Sequence, residues 1–364
     1  MARDTRPLRA LPVMAALILG AQALAFGVAA QEGPNAGPAA AARSERLCAG
    51  YSGLPAFDAG SSGREGMAWI PGGRFLMGSD TAYPEEGPRR AATVDGFWMD
   101  RHEVTNAQFA AFVTATGYRT VAERGLRAED YPDLPAAALV PGAMVFFEPK
   151  GSEARGEMGE WWRYVPGANW RSPTGPGSSI AGKENHPVVE IAYADAQAYA
   201  AWRGRSLPTE AEWEFASRGG APEGEFAWGD EPTPGGEWMA NTWQGFFPFK
   251  DDGADGHHGT APVGCFPANG YGLYDMIGNV WEWATDWYLP NHRFAEGQRG
   301  PTGPDQPAAT AGGPSHVIKG GSWLCSPNFC LRYRPTARQP QEADLGASHV
   351  GFRTVLRGPG PKPN

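Results

Sequence analysis

Residues 64–357 predict one loop-rich globular domain in which short strands and a few capped helices share a core, and three observations lead there. The chain of 364 residues is 41% hydrophobic and 12% aromatic with 14 Trp, ample material for a sizeable core. Gly and Pro number 50 and 34, a joint share below the disordered range that still demands many turns. No internal repeat and no clear domain break interrupts the stretch, although length alone would accommodate two smaller domains. A net charge of -9 without an offsetting basic stripe argues against a nucleic-acid partner.

In chain order, Arg3, Arg6 and Arg9 precede a mostly apolar run over residues 11–30 that closes on "FGVAAQE". A positive start, an apolar stretch and small residues at its end predict a secretory signal peptide, residues 1–30, cut after Ala30. Gly20, Gln22 and Gly27 dilute the run, which favours cleavage over a retained anchor. The mature protein is then exported, periplasmic or secreted, with no stable membrane association, into a space where thiols oxidise. Residues 31–63, rich in Ala, Gly, Ser and Pro, read as a flexible leader, and residues 358–364 as a disordered tail.

Within the domain, "GMAWIPGGRFLMGS" carries two apolar runs around Pro71, Gly72 and Gly73 and predicts a hairpin turning there. "EVTNAQFAAFVTATGY" predicts a helix, with Thr105 and Gln108 as capping box, Phe109, Phe112 and Val113 on one face, and Gly117 as terminator. A second helix fits "YADAQAYAAWRG", stopped by Gly204. A third fits "PTEAEWEFASRGG", capped by Thr209 with Glu212 and ended by Gly219. Residues 128–186 and 220–320 read as mostly irregular.

Two of those irregular segments are rich in hard oxygen donors. Asn241, Asp251, Asp252 and Asp255 fall among glycines, and Asp275, Asn279 and Glu282 occupy another tight turn. Oxygen donors on loops suit calcium, but Asp and Asn also favour ordinary solvated turns. The first segment is not an EF-hand, because Gly253 and Pro262 fall where that loop needs ligands. Four cysteines are too few for a disulfide scaffold, so each needs its own account. Cys325 and Cys330, in "KGGSWLCSPNFCLRYRPTAR", admit a disulfide around a short turn at Pro327 and Asn328, a metal site, or the working groups of an enzyme.

The segments "GGRFLMGSD", "MDRHEVTNAQFAAFV", "HPVVEIAYADAQAYAAWRGRSLPTEAEWEFASRGG", "GYGLYDMIGNVWEWATDWY", "KGGSWLCSPNFCLRYRPTARQ" and "GFRTV" occur in this order. Together they resemble the formylglycine-generating enzymes, or sulfatase-modifying factors, over residues 66 to about 356. The resemblance implies a single compact α+β domain, low in regular secondary structure and related to C-type lectin-like folds. A Cys-x4-Cys pair after Gly320, Gly321 and Ser322 marks the oxidase subgroup. It implies that Cys325 and Cys330 hold Cu(I), for which soft thiolates are suited, with Ser322 in the oxygen or water pocket beside them. The implied substrate is a cysteine in the Cys-x-Pro-x-Arg motif of an unfolded or nascent sulfatase. Its thiolate joins the copper, O2 reacts there with a thiol reductant, a β-hydrogen is taken, and the thioaldehyde hydrolyses to formylglycine. This makes the chain an oxidoreductase acting on sulfur with O2 as acceptor.

The same resemblance implies two structural calcium sites. One uses Asn241 and Asp255 side chains with the carbonyls of Thr242 and His257; the other uses Asp275 and Glu282 side chains with the carbonyls of Gly278 and Val280. Arg338, Trp281 and His349 are the implied substrate contacts, with a structural ion pair as the alternative for Arg338. The pattern is departed from at His349, which replaces a common asparagine, at Ser326, where histidine is frequent, and at Pro335 and Thr354, where eukaryotic relatives carry crosslinking cysteines. Cys48 and Cys265 read as buried spectators or occasional disulfide partners. "CSPNF" itself begins like the sulfatase target but carries Phe329 where arginine is needed. An oxidase of some other exported substrate, such as a periplasmic secondary metabolite, and a non-catalytic lectin-like binding module are the alternative functions; the cysteine pair argues against the second.

Overall fold

The computed structural model describes residue 48 and residues 63–129, 131, 136, 139–150, 161–221, 223–307 and 314–361. The expected signal peptide lies outside these, as do most of the expected leader and residues 362–364 of the expected tail. Where the tail begins, Pro359 O accepts from the Trp98 indole at 3.1 Å.

The first apolar runs form strands, but the expected hairpin at Pro71 is corrected. Met67–Ile70 (β1) and Gly73–Met77 (β2) run end to end against Arg90–Val94 (β3) and Phe97–Asp100 (β4). One antiparallel register carries through, Ile70 opposite Phe97 and Gly73 opposite Val94. Pro71 and Gly72 therefore make a corner in a longer ribbon, and the chain reverses only over residues 78–89. Gly72 has φ +72, and a Cβ there would lie 2.6 Å from the Asp95 carbonyl carbon, so the close approach of two backbones demands glycine. The corner delivers β1 and β4 to one sheet with Val355–Arg357 (β12), and β2 and β3 to another with Gln298–Arg299 (β8).

The three expected helices form where their caps place them. Asn106–Thr116 (α1) starts at the Thr105–Gln108 capping box and ends at Gly117, φ 68. Val121–Arg124 (α2) is an additional single turn with its own box, Thr120 with Glu123. Tyr193–Trp202 (α3) has no hydroxyl at its cap, so the Ala192 N–H donates to Asp195 instead, and Gly204 follows at φ 65. Glu210–Ser217 (α4) begins at Thr209 with Glu212. Phe109 and Phe112 from α1 meet Tyr199 from α3, Trp170 and Phe352 at ring separations of 5.2–6.4 Å, the aromatic centre of the main core.

The segments expected to be irregular contain a two-stranded pair and two of the four strands of the principal sheet, residues 281–287 and 315–319. Gly142–Phe146 (β5) pairs with Trp162–Pro166 (β6). Trp281–Trp287 (β7), Ser315–Lys319 (β9), Arg338–Glu342 (β10) and Val350–Gly351 (β11) assemble in the order β10-β9-β7-β11. Five of the seven β7 residues are buried, Glu282 and Asp286 among them, although Trp281, Glu282 and Trp283 alternate in the period-2 manner of a strand that the irregular reading passed over. The result is an α+β fold of small mixed sheets joined by long loops, and the loops carry the sites.

Candidate thiol centre and calcium sites

After β9 the chain turns at Gly320 and Gly321. A Cβ at Gly320 would lie 2.8 Å from Met276 O, and one at Gly321 2.8 Å from Arg332 O, so both glycines let the thiol loop press against its neighbours. The Cys325 N–H donates to Ser322 O, and the Phe329 and Cys330 N–H groups both donate to Ser326 O. These bonds close a short turn that brings Cys325 Sγ and Cys330 Sγ to 2.9 Å, both buried. That separation exceeds the ~2.05 Å of a disulfide bond, so the two groups stand as thiols. Trp243 anchors the turn from outside, its N–H donating to Cys325 O at 2.9 Å.

The two sulfurs differ electrostatically. The hydrogen bond from Cys325, and then the Arg332 guanidinium, lower the Cys330 pKa. Burial, and then the Cys330 sulfur, push Cys325 well up. Of the two, Cys330 therefore gives up its proton the more readily. Arg332 is itself held by Glu85 at 2.5 Å and lies over the Tyr83 ring at 3.8 Å, while the Tyr83 hydroxyl accepts from the Leu331 N–H. The 78–89 loop thus latches onto the thiol loop, a connection to which Arg334 adds a pair with Glu86 at 2.6 Å. Ser322 is buried, its Oγ accepting from the Leu324 N–H at 3.3 Å. A buried, cation-flanked pair of sulfurs is a donor set that fits a soft metal ion. Beside it lies an aromatic wall of Phe146, Trp161, Trp243 and Phe247, capped by Phe329, which stacks on Phe247 at 4.5 Å and is 41% exposed.

The expected substrate contacts need correction. Arg338 is 2% exposed; its Nε and Nη2 donate to Glu210, and its Nη1 donates to the carbonyls of Glu85 and Leu289. Every direction of the guanidinium is engaged inside the protein, so Arg338 underpins the Glu85 loop rather than lining an open groove. Trp281 is a buried core residue of β7. His349 alone of the three is half-buried, packing on Trp162 at 4.7 Å, with a ring Nδ1 that has no partner among the described residues.

The two expected calcium loops lie side by side. The Asn279 N–H donates to Asn241 O at 2.9 Å, the Asn241 amide donates to Asn279 Oδ1, and a Cβ on Gly278 would lie 2.3 Å from Asn241 O. In the first site Asp255 is buried and accepts from the Thr242 and His257 N–H groups. The Gln244 amide nitrogen donates to both Thr242 O and Asp255, sitting where two of the expected ligand oxygens converge. Burial pushes Asp255 up to about 7. In the second site Glu282 is clasped by Arg353 at 2.7 Å and by the Trp213 indole, while Asp275 Oδ1 is buried with no hydrogen-bond partner.

Glu103, which sequence reasoning did not single out, joins that second cluster with a buried, unpartnered Oε2. Burial raises Asp275 to about 7 and Glu103 well above the carboxylate range. Three buried carboxylates face one Arg353, and orphaned oxygens among them fit a hard cation. The position of Glu103, just before the Thr105 cap, was the only local sign of it. Gly278 and Asn279 also bond Gly320 and Trp323, so this loop supports the thiol loop directly.

Cys48 and Cys265 are joined as a disulfide across 217 residues, packed with Ala261, Phe266 and Trp238. Of the two readings offered for these cysteines the disulfide holds and the spectator falls, because the tertiary fold supplies each with a partner that no local spacing could show.

An α+β scaffold whose loops support a buried pair of thiols defines the class of protein, and comparison names the family. Residues 56–357 match the family described as "Sulfatase-modifying factor enzyme 1-like domain", and the chain belongs to it. It is 55% identical over 288 residues to a formylglycine-generating enzyme of Mycobacterium tuberculosis, covering 79% of this chain and 96% of that protein. It is also 38% identical over 313 residues to a mouse protein described as inactive Cα-formylglycine-generating enzyme 2, covering 85% of this chain and 91% of that one. Among solved structures, PvdO from Pseudomonas aeruginosa superimposes with TM-score 0.53 at 25% identity, over 79% of this chain and 93% of that one.

Proposed function

We propose that the chain converts the cysteine of a Cys-x-Pro-x-Arg segment in a client sulfatase to formylglycine. The observation that carries this reading is the unbridged, buried thiol pair, with Sγ atoms 2.9 Å apart beside the Arg332 guanidinium. The reaction consumes one O2 and two thiols of reductant for each substrate thiol; it yields the aldehyde, hydrogen sulfide, the reductant's disulfide and water. Cu(I) bound by Cys325 and Cys330 would supply the site of O2 activation and a place for the substrate thiolate.

The chain's own residues would do the rest. Cys330 is the sulfur whose deprotonated form the Arg332 guanidinium favours. Cys325 must release its proton on binding metal, which makes metal affinity rise with pH. The buried Ser322 offers a hydroxyl beside the pair, and the aromatic wall keeps water from one side of it. Two calcium ions would hold the loops that carry Asn241 and Asp275 against the thiol loop. The Cys48–Cys265 disulfide supports maturation in an exported, oxidising setting.

The test supplies the copper-loaded mature protein, with O2 and a thiol reductant, with a peptide containing Leu-Cys-Thr-Pro-Ser-Arg. The expected result is an aldehyde detected by mass spectrometry and hydrazide labelling. If no aldehyde forms where another enzyme of the family converts the same peptide, the sulfatase reading falls and a different exported substrate takes its place.

A further inference from the structure

We propose that Cys48, Cys265 and His257 form a redox-gated site for a d10 metal ion, closed while the cysteines are bridged and opened when they are reduced. One ligand atom from each of the three residues lies within 4.8 Å of the others. Cys265 is fixed in the core with Phe266, Cys48 arrives from the leader, and His257 presents its ring near Phe266 at 5.9 Å. Two sulfurs and an imidazole nitrogen form a soft to borderline set that suits Zn2+ or Cu(I) and not the hard calcium ion.

This role does not compete with the first calcium site. There His257 is expected to offer its backbone carbonyl, whereas the imidazole is the group beside the sulfurs. Among the described residues these three side chains make up the cluster, one ligand short of a tetrahedral set.

The gating step is a thiol–disulfide exchange. A dithiol reductant passes two electrons and two protons to the Cys48–Cys265 bridge and is itself oxidised to a disulfide. Zn2+ then displaces the two thiol protons into solvent as the Zn–S bonds form. Cys48 is held to Cys265 in either state, by a covalent bond when oxidised and through the metal when reduced.

The experiment uses the full mature chain carrying Cys325→Ser and Cys330→Ser, so that the other thiol pair cannot report and failure of the proposed function has no bearing. After phosphine reduction and in saturating calcium, equilibrium dialysis against Zn2+ should show one ion per chain, and none above background for the oxidised chain. Co2+ in place of Zn2+ should give thiolate charge-transfer absorption. Adding Cys265→Ser should abolish both signals. His257→Ala, which keeps the backbone carbonyl, should weaken Zn2+ binding about tenfold or more. Should reduction unfold the domain, Zn2+ present during reduction is expected to preserve the near-UV circular dichroism. Substoichiometric zinc, affinity unchanged in His257→Ala, binding that survives Cys265→Ser, or failure of Zn2+ to preserve that spectrum would each overturn the proposal.

Discussion

The chain holds two cysteine pairs that differ in almost every respect. Cys325 and Cys330 are close in sequence, share one turn, and stand 2.9 Å apart without a bond. Cys48 and Cys265 are 217 residues apart and are bonded. The first pair has an ion pair on one side, Arg332 with Glu85, and an aromatic wall on another. The second sits in an apolar satellite of Ala261, Phe266 and Trp238. Nearness along the chain therefore does not decide which cysteines are crosslinked. A nearby cation favours a thiolate that can work, whereas apolar packing favours a group that holds two segments together.

The largest expected effect breaks the comparison at its centre. Cys325→Ser or Cys330→Ser should each abolish tight Cu(I) binding, read by competition with a chromophoric chelator, and with it aldehyde formation. Cys48→Ser should change neither stoichiometry. Equal copper binding in all three variants would erase the distinction between the pairs.

Next comes the layer beneath the thiol loop. Arg338→Met leaves Glu210 with only the two longer contacts, Lys319 and His292 each at 3.5 Å, and should cost about 3–5 kcal/mol, seen as a lower denaturation midpoint. A large rise in KM for the peptide with unchanged stability would instead return Arg338 to the substrate groove. Breaking the other pair should cost less: Cys265→Ser is expected to lower stability by about 2–4 kcal/mol, measured by urea unfolding without reductant. An unchanged midpoint would mean that the disulfide fastens a leader the domain does not need.

The smallest effect concerns the loop proposed to bind calcium, next to that disulfide. Calcium at a hundred times its Kd would add about 2.7 kcal/mol per site. Thermal melts should show that increment in the wild type and lose it at one site in Asp255→Ala. Coincident wild-type curves with and without a chelator, after verified metal removal, would count against both sites.

What the sequence determined by itself was local. Thr105 with Gln108 and Thr209 with Glu212 announce helix starts because both partners of each capping box lie within one turn. The thiol pair was legible for the same reason, since one short turn closed on Ser326 O brings both sulfurs together. The ordered motifs that carried the family resemblance are likewise strings of adjacent residues. Tertiary structure decided whatever depends on distant partners. Glu282 and Asp286 on β7 are polar by sequence yet buried in the fold, and the corner at Gly72 looked like a hairpin because the opposing Asp95 and Gly96 are invisible from nearby sequence. Arg338 matched a substrate contact until Glu210, Glu85 and Leu289 were seen to occupy it, and Glu103 became a candidate cation ligand only beside Asp275 and Arg353. The charge, burial and bonding of a side chain are set by everything packed around it, and for these residues that packing is contributed by segments far away in the chain.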